Sequence, residues 1–220
     1  MSAARLGREV KTLGHAWREF RANRSPKIIA AAIVAAAALR IALGGFTWRD
    51  AVAAAGMLVV YPFGEWAIHV YLLHLKPFRL RGRRVELATA KAHREHHERP
   101  NHLGLILLAP LEAAALLLLA VPVVLIVFSI FLPLRALVTA AFAGYVLIGV
   151  YEWTHFLIHT AHRPRSAAYR AVWRNHRLHH FKNEHYWHGI TNTLADHVLH
   201  TAPDQKDVPR SATARTLQSL

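Results

Sequence analysis

Residues 144–180 read GYVLIGVYEWTHFLIHTAHRPRSAAYRAVWRNHRLHH and join a long apolar run to a polar segment rich in histidine. The apolar part ends in an HxxxH motif, and the polar part ends in an HxxHH motif. Their histidines are His155, His159, His176, His179 and His180. Residues three and four apart share one face of a helix, so each motif directs its imidazoles to one side. The stretch therefore predicts a membrane helix followed by a second helix, both of which carry candidate metal ligands.

The whole chain is apolar enough to be a membrane protein. Hydrophobic residues make up 54% of the 220 residues and charged residues only 18%, whereas a soluble domain usually carries about a quarter charged residues. The apolar residues form runs that reach the roughly 20 residues of a membrane-spanning helix. These runs predict an all-α integral membrane fold with four spans, at about 28–46, 51–75, 103–131 and 134–158.

The polar segments outside these spans are strongly basic. Seven Lys and Arg residues precede residue 28, eight lie in 76–101 and nine follow residue 160, whereas the two short opposite loops hold only Arg49 and Arg135. The positive-inside rule then predicts that both termini and the central loop are cytoplasmic. Because every basic cluster flanks a span, the net charge of +14 indicates topology and argues against a nucleic-acid partner.

Three segments follow from this organisation. Residues 1–26 are a basic cytosolic N-terminal segment in which a short amphipathic helix is expected. Residues 27–201 form the membrane domain that carries the histidine motifs. The tail at 202–220 is rich in Ser, Thr, Asp and Lys, and we expect it to be disordered.

Seventeen histidines and no cysteine leave imidazole as the main metal-binding group of the chain. Two further motifs, HxxxxH and HxxHH, lie at the end of the second span and in the central loop. We predict ten metal ligands: His69, His74, His93, His96, His97, His155, His159, His176, His179 and His180. A structural zinc site takes four ligands, so ten imidazoles are enough for two ions with five ligands and one open octahedral position each. Imidazole suits iron, copper or zinc, and an open position in a membrane favours iron with dioxygen chemistry.

The spacing within the motifs limits how ligands divide between two ions. His93, His96 and His97 fall within about 100° of helical arc, so such a triplet can straddle two ions. His69 and His74 are five residues apart and lie about 140° apart on a regular helix. They therefore either serve different ions or lie where the helix unwinds.

Several polar residues near the motifs are candidates for orienting the ligands. A carboxylate within a span either holds an imidazole N–H or only reaches the membrane surface. The loop residues among these candidates are equally compatible with substrate contact or with an ordinary loop position. The candidates are Glu65, Glu152, His188, Asp196 and His197.

The order HxxxxH, HxxHH, HxxxH, HxxHH resembles the fatty acid hydroxylase/sterol desaturase superfamily of integral membrane di-metal oxygenases. Residues 144–162 and the segment RNHRLHHFKNEHYWHGITNTLADHVLHT at 174–201 resemble it closely, and the spacing is most similar to the fatty acid 2-hydroxylase branch. The resemblance implies four transmembrane helices capped by a cytosolic helical metal-binding layer. It also implies two ligand sets. One is His74, His93, His96, His155 and His176, and the other is His69, His97, His159, His179 and His180.

By the same resemblance, the chain is expected to hydroxylate a lipid or fatty acyl chain taken from the bilayer, and desaturation stays open as the second alternative. It would use two iron ions and dioxygen, with zinc able to occupy the same imidazoles in purified protein. No fused haem domain fits into 26 N-terminal residues, so a separate electron-donor protein is expected.

One departure from the family pattern lies in the loop after the last motif. Relatives commonly carry Asn-Tyr-Trp-Phe-Gly where this chain has His185 to Gly189, so His188 adds an imidazole that either binds metal or alters the pocket. The alternative function is a non-enzymatic membrane metal-binding or transport protein, whose ligands should lie near the bilayer midplane. A membrane cytochrome with haem between two histidines is a third reading, but it leaves both HxxHH motifs unexplained.

Overall fold

The computed structural model describes residues 6–217, most of which are helical. The helices are α1 (Leu13–Ala22), α2 (Arg24–Leu43), α3 (Trp48–Ala67), α4 (Ala88–Glu98), α5 (Pro110–Ala115), α6 (Val121–Phe128), α7 (Leu134–Ile158), α8 (Ala167–Phe181) and α9 (Leu194–Val198). The other elements are π-helical segments at Ile68–Leu73 and Leu116–Ala120, 3-10 turns at Gly7–Glu9 and Leu103–Leu105, and an antiparallel hairpin of β1 (Phe78–Leu80) and β2 (Arg83–Val85).

Four stretches are long and apolar enough to cross a membrane, which confirms the predicted all-α membrane class. They are Arg24–Leu43, Trp48–Leu73, Leu103–Phe128 and Leu134–Ile158. The first ends at Leu43, before the predicted residue 46, because Gly44 and Gly45 have φ values of +57° and +56°. Glycine tolerates this left-handed backbone, which stops the helix and leads directly into the second span.

The third span is assembled from three helical pieces. Pro110 occupies the first turn of α5, where its missing N–H removes no helical hydrogen bond. Pro122 instead follows the π-helical segment that joins α5 to α6. A proline ring crowds the carbonyl four residues earlier, and the wider π turn just before Pro122 accommodates it.

Contacts divide the chain into two compact units, and the membrane unit consists of Trp17–Tyr61 and Leu108–Trp153. Its core contains one side chain from α2, one from α3, three from the third span and one from α7. These residues are Ile29, Met57, Ala113, Leu117, Val121 and Ile148. The small residue Gly144 packs there against Met57 and Val121, where an added Cβ would lie 2.6 Å from the Met57 Cε atom.

Arg40, the one charge inside the first apolar run, is buried in the membrane unit. Its guanidinium donates to the Asp50 carboxylate at 2.8 Å and to the Thr139 hydroxyl oxygen at 2.8 Å. It also donates to the Gly44 carbonyl at 2.8 Å. A charge in a span is tolerated when it is paired and hydrogen-bonded, and these bonds join α2, α3 and α7.

The second unit, which we call the histidine unit, contains the described residues up to Ala16, Pro62–Leu107 and the described residues from Thr154 onward. It holds the end of α3, the π-helical segment after it, the hairpin, α4, the end of α7, α8 and α9. Every histidine of the four sequence motifs belongs to this unit.

The predicted amphipathic helix of the N-terminal segment corresponds to α1. The side chains of Leu13 and Trp17 are exposed, whereas that of Phe20 is buried against the rings of Trp17 and Trp153. Residues 1–5 of the predicted segment lie outside the described residues.

The tail differs from the disordered segment expected at 202–220. Up to residue 217 the tail carries buried side chains, because Val208, Ala214 and Leu217 are each at most 5% exposed. Its composition is polar overall, but these three apolar side chains are buried. Residues 218–220 lie outside the described residues.

Candidate metal centre

The ten predicted ligands form two groups of five imidazoles. In each group, one ring nitrogen per histidine lies within 4.8 Å of the others. The first histidine group is His69, His74, His93, His97 and His179. The second histidine group is His96, His155, His159, His176 and His180. Nine of the ten residues are buried and His74 is half-buried.

The helices divide the two HxxHH motifs between the groups. On α4, His93 and His97 are four residues apart and belong to the first group, whereas His96 belongs to the second. On α8 the division is reversed, with His179 in the first group and the pair His176 and His180 in the second. Residues four apart lie nearly above one another on a helix, while the third histidine diverges around it. Each triplet therefore contributes to both groups.

The π-helical segment explains why His69 and His74 lie in the same group. The His74 N–H donates to the His69 carbonyl at 3.2 Å, which closes a ring of five residues instead of four. The π turn brings the two imidazoles to the same side, with ring centroids 5.0 Å apart. The sequence left two alternatives: the two histidines serve different ions, or the helix is irregular between them. The structure shows the irregular helix, and both histidines lie in one group.

This geometry corrects the ligand sets that the family resemblance implies. Those sets place His69 and His74 in different groups, and they likewise separate His155 from His159. In the structure each pair stays together, because one turn of helix aligns the two side chains of a pair.

Backbone carbonyls fix the orientation of three imidazoles in the first group. The Nδ1–H of His69 donates to the His188 carbonyl at 2.7 Å, and that of His179 donates to the Tyr186 carbonyl at 2.8 Å. The Nδ1–H of His97 donates to the Ala214 carbonyl at 2.8 Å. A carbonyl only accepts, so each neutral ring carries its proton on Nδ1 and presents a bare Nε2.

The bare nitrogens fit metal ions. The Nε2 atoms of His69, His93 and His97 are buried and have no hydrogen-bond partner among the described residues, which is costly unless a ligand satisfies them. The Nε2 atom of His176 lies 3.0 Å from those of His159 and His180. Two nitrogens bound at right angles to one ion, with bonds of about 2.05 Å, would lie about 2.9 Å apart.

The electrostatics of both groups keep the imidazoles neutral. Burial, followed by repulsion from neighbouring imidazoles, lowers the pKa of His93, His96 and His180 well below the ordinary range. Burial also lowers the pKa of His97 to about 4. Neutral rings keep the nitrogen lone pair that a metal ion requires.

Two of the predicted orienting residues hold the loop beside the first group. Glu65 accepts hydrogen bonds from the N–H groups of Ile190, at 2.5 Å, and Thr191, at 3.0 Å. Asp196 accepts from the N–H groups of His188, at 2.9 Å, and Gly189, at 2.7 Å. Both carboxylates therefore act on the loop backbone. For Glu65 this is neither of the two roles that the sequence left open, which were holding an imidazole N–H or reaching the membrane surface.

The other predicted orienting residues have different positions. The Glu152 carboxylate accepts from the Leu108 N–H at 3.2 Å within the membrane unit. His197 is exposed, and its ring lies 2.6 Å from the Thr193 carbonyl, so it faces away from both groups. His188 is buried, and its ring lies against the first group.

Two contacts beside the ligands were not predicted from the sequence. The Arg215 guanidinium donates to the His97 and Glu98 carbonyls, at 3.1 and 2.7 Å, and caps the end of α4. Gly7 packs so closely that an added Cβ would lie 1.9 Å from the His159 carbonyl oxygen. Neither residue lies in a motif, and only the tertiary structure brings them to the ligands.

Residues 54–201 match the family model described as fatty acid hydroxylase, and they include all ten predicted ligands. The chain belongs to the fatty acid hydroxylase family. The predicted family resemblance is therefore confirmed. The matched range begins within α3 and ends just after α9.

Curated relatives of this hydroxylase-family chain are named as 2-hydroxylases. It is 30% identical over 155 residues to the dihydroceramide fatty acyl 2-hydroxylase FAH2 of Arabidopsis thaliana, covering 69% of this chain and 62% of that protein. It is 27% identical over 160 residues to the fatty acid 2-hydroxylase of Rattus norvegicus, covering 69% of this chain and 40% of that protein. The chain thus spans less than two thirds of these relatives.

The fold is also similar to a solved structure, titled full-length scs7p with only the hydroxylase domain visible. The TM-score is 0.64 at 19% sequence identity, and the similarity covers 85% of this chain and 68% of that chain. At this identity the similarity establishes a shared fold.

Proposed function

We propose that this chain is a membrane-bound di-iron oxygenase that hydroxylates the fatty acyl chain of a lipid next to its carbonyl group. The observation that carries the proposal is the pair of five-imidazole groups, whose bare, buried nitrogens fit two metal ions. Family membership and relatives named as fatty acid and dihydroceramide 2-hydroxylases support the reaction and the position on the chain.

The first histidine group would hold one ion and the second histidine group the other. Two iron ions bound there would supply the activation of dioxygen and the cleavage of a C–H bond. The protein keeps the imidazoles neutral by burial, and it fixes the ring nitrogens through backbone carbonyls. Glu65 and Asp196 hold the loop that carries two of those carbonyls.

The substrate would enter from the bilayer. His69 and His155 belong to helices that are apolar enough to cross a membrane, so these ligands lie next to the lipid phase. Insertion of one oxygen atom of dioxygen reduces the other to water, which takes two electrons and two protons. We propose that the histidine unit lies on the cytoplasmic side, as the basic segments beside the spans predict, and that a separate electron-donor protein supplies the electrons there.

Lipid analysis of a host that expresses the chain tests this proposal. We expect acyl chains that gain one oxygen atom, and fragmentation should locate the new hydroxyl on the carbon next to the carbonyl. The His180→Ala variant, at equal membrane level, should give no such product. The matched control is His197→Ala, which removes an exposed imidazole outside both groups and should preserve the product. Wild-type protein that binds both metals but yields no oxidised lipid with any donor would contradict the hydroxylase assignment.

A further inference from the structure

An eleventh imidazole, that of His188, lies beside the first histidine group. Its ring centroid is 5.1 Å from that of His179, 5.3 Å from His69 and 5.8 Å from His74. Rings within the group are separated by similar distances, such as 5.0 Å between His69 and His93. His188 nevertheless stands outside the five whose ligand atoms converge.

The backbone of His188 is held by hydrogen bonds at both its N–H and its carbonyl. Its N–H donates to Asp196 Oδ1, and its carbonyl accepts from His69 Nδ1. The next N–H, of Gly189, donates to the other Asp196 oxygen, and Asp196 is fully buried. The indole of Trp66 packs edge-on against the imidazole, with centroids 5.9 Å apart. The ring is therefore held between Trp66 and the first group.

The ring is buried, and one of its nitrogens has no well-aligned partner. His188 is 4% exposed, and its Nδ1 atom makes no hydrogen bond of good geometry within the described residues, although the imidazole also interacts with the His185 backbone and the Asp196 carboxylate. A buried polar atom without a partner is destabilising. A nitrogen in this position, beside the first histidine group, is able to bind a small molecule. An imidazole suits this role because its nitrogens can donate or accept a hydrogen bond.

We propose that the His188 imidazole is a positioning residue that hydrogen-bonds the small molecule bound at the open position of the first group's metal ion. The inference rests on the proposed function, because it requires an ion in that group. Five imidazoles would leave one position of an octahedral ion free, and the ring of His188 lies against those of His69, His74 and His179. A hydrogen bond in such a water-poor site is stronger than one in water.

Azide, a small anion that binds open iron positions, serves as the probe. It would be titrated into iron-loaded, full-length protein and followed by visible absorption, with metal content measured on the same samples. His188→Phe removes the polar nitrogens and keeps a ring of similar size. We expect two ions per chain to remain and azide affinity to fall by about tenfold or more, a change of about 1.4 kcal/mol.

Two further variants control this experiment. His188→Asn restores a hydrogen-bonding group, and it should recover part of the azide affinity. His197→Phe makes the same substitution at an exposed histidine, and its azide affinity should equal that of wild type. Unchanged azide affinity in His188→Phe would overturn the inference. Loss of one ion from His188→Phe would also overturn it, because His188 would then be a ligand. Wild-type protein without bound metal would instead refute the proposed function itself.

Discussion

The bare ring nitrogens of the two histidine groups account for most of the chemistry at the residue scale. A metal ligand must be deprotonated, and burial makes the imidazoles neutral while carbonyls from the surrounding loops select the nitrogen that faces inward. His179 illustrates both effects. Its Nδ1–H binds the Tyr186 carbonyl, and its Nε2 lies 3.2 Å from the Nε2 of His74.

Replacing His179 by Ala should remove one imidazole from the first group and leave the second group intact. Loss of a residue that only orients a ligand typically reduces affinity or activity about 10–100-fold, so loss of a ligand should cost more. We expect at least a 100-fold loss of product, about the upper end of that range, and about one ion per chain by elemental analysis.

The control for this variant is His15→Ala, which removes a histidine that belongs to neither group. Its metal content and activity should stay within about twofold of wild type, since substitutions away from special features have little effect. Both variants must be compared at equal membrane expression. Wild-type turnover in the His179 variant would show that the ligand assignment is wrong.

The residue types of the site are readable from the sequence, whereas their partners are not. The two HxxHH motifs predict six candidate ligands because a helix aligns residues three and four apart. Nothing in the local pattern connects His97 with Ala214, which is more than one hundred residues later. Gly7, Ala214 and Arg215 reach the ligands only through the tertiary fold, so a search for metal-binding residue types does not find them.

At the scale of elements, the π-helical segment Ile68–Leu73 determines how the first group forms. A π turn accommodates one residue more than an α turn, so His69 and His74 face the same side although they are five residues apart. The sequence left this pair with two alternatives because helix type is not encoded in the spacing. The family-implied ligand sets differ from the structure for the same pair.

Inserting one Ala after Tyr71 should destroy the first group. The histidines would then be six residues apart, which at about 100° per residue turns the second one well away from the first. Deleting Tyr71 should be tolerated, because the resulting HxxxH spacing equals that of His155 and His159. Elemental analysis should give about one ion per chain for the insertion and two for the deletion, following the five-ligand groups.

Tyr71→Ala is the matched control for both changes, since it removes the ring contact with Trp66 without altering the spacing. It should retain two ions. Retention of both ions by the insertion variant, or loss of one by the deletion variant, would contradict the role given to the π turn.

The tail is the second element that supports the site. Removing the chain after residue 209 would take away the Ala214 carbonyl that orients His97 and the Arg215 side chain that caps α4. We expect the affinity of the first group for metal to fall about 10–100-fold, as measured by competition with a chelator. Truncation after residue 217 keeps both contacts and should match wild type. Equal affinities for the two truncations would show that the tail does not support His97.

At the scale of the whole molecule, the predicted membrane class and the number of spans agree with the structure. Long apolar runs predict membrane spans well, because a helix that crosses the bilayer needs about 20 predominantly apolar residues. The first span ends earlier than predicted, because Gly44 and Gly45 stop its helix. The tail was predicted from overall composition, which does not reveal that a few apolar side chains are buried.

The charge distribution makes the topology testable. Basic residues are concentrated before residue 28, in 76–101 and after residue 160, so these segments should remain in the cytoplasm. Reporter fusions after residue 90 and after residue 220 should both report a cytoplasmic location. A signal from the opposite side for either fusion would contradict four spans with the histidine motifs on the cytoplasmic side.

The number of metal ions per chain distinguishes two metal sites from one or none. Two groups of five converging imidazoles predict about two ions per chain in carefully prepared wild-type protein. The variants His179→Ala and His180→Ala, which each remove a ligand from a different group, should each retain about one ion, and the double variant should retain none. Elemental analysis giving one ion or fewer for reconstituted wild type, or the loss of both ions from either single variant, would contradict two separate metal sites.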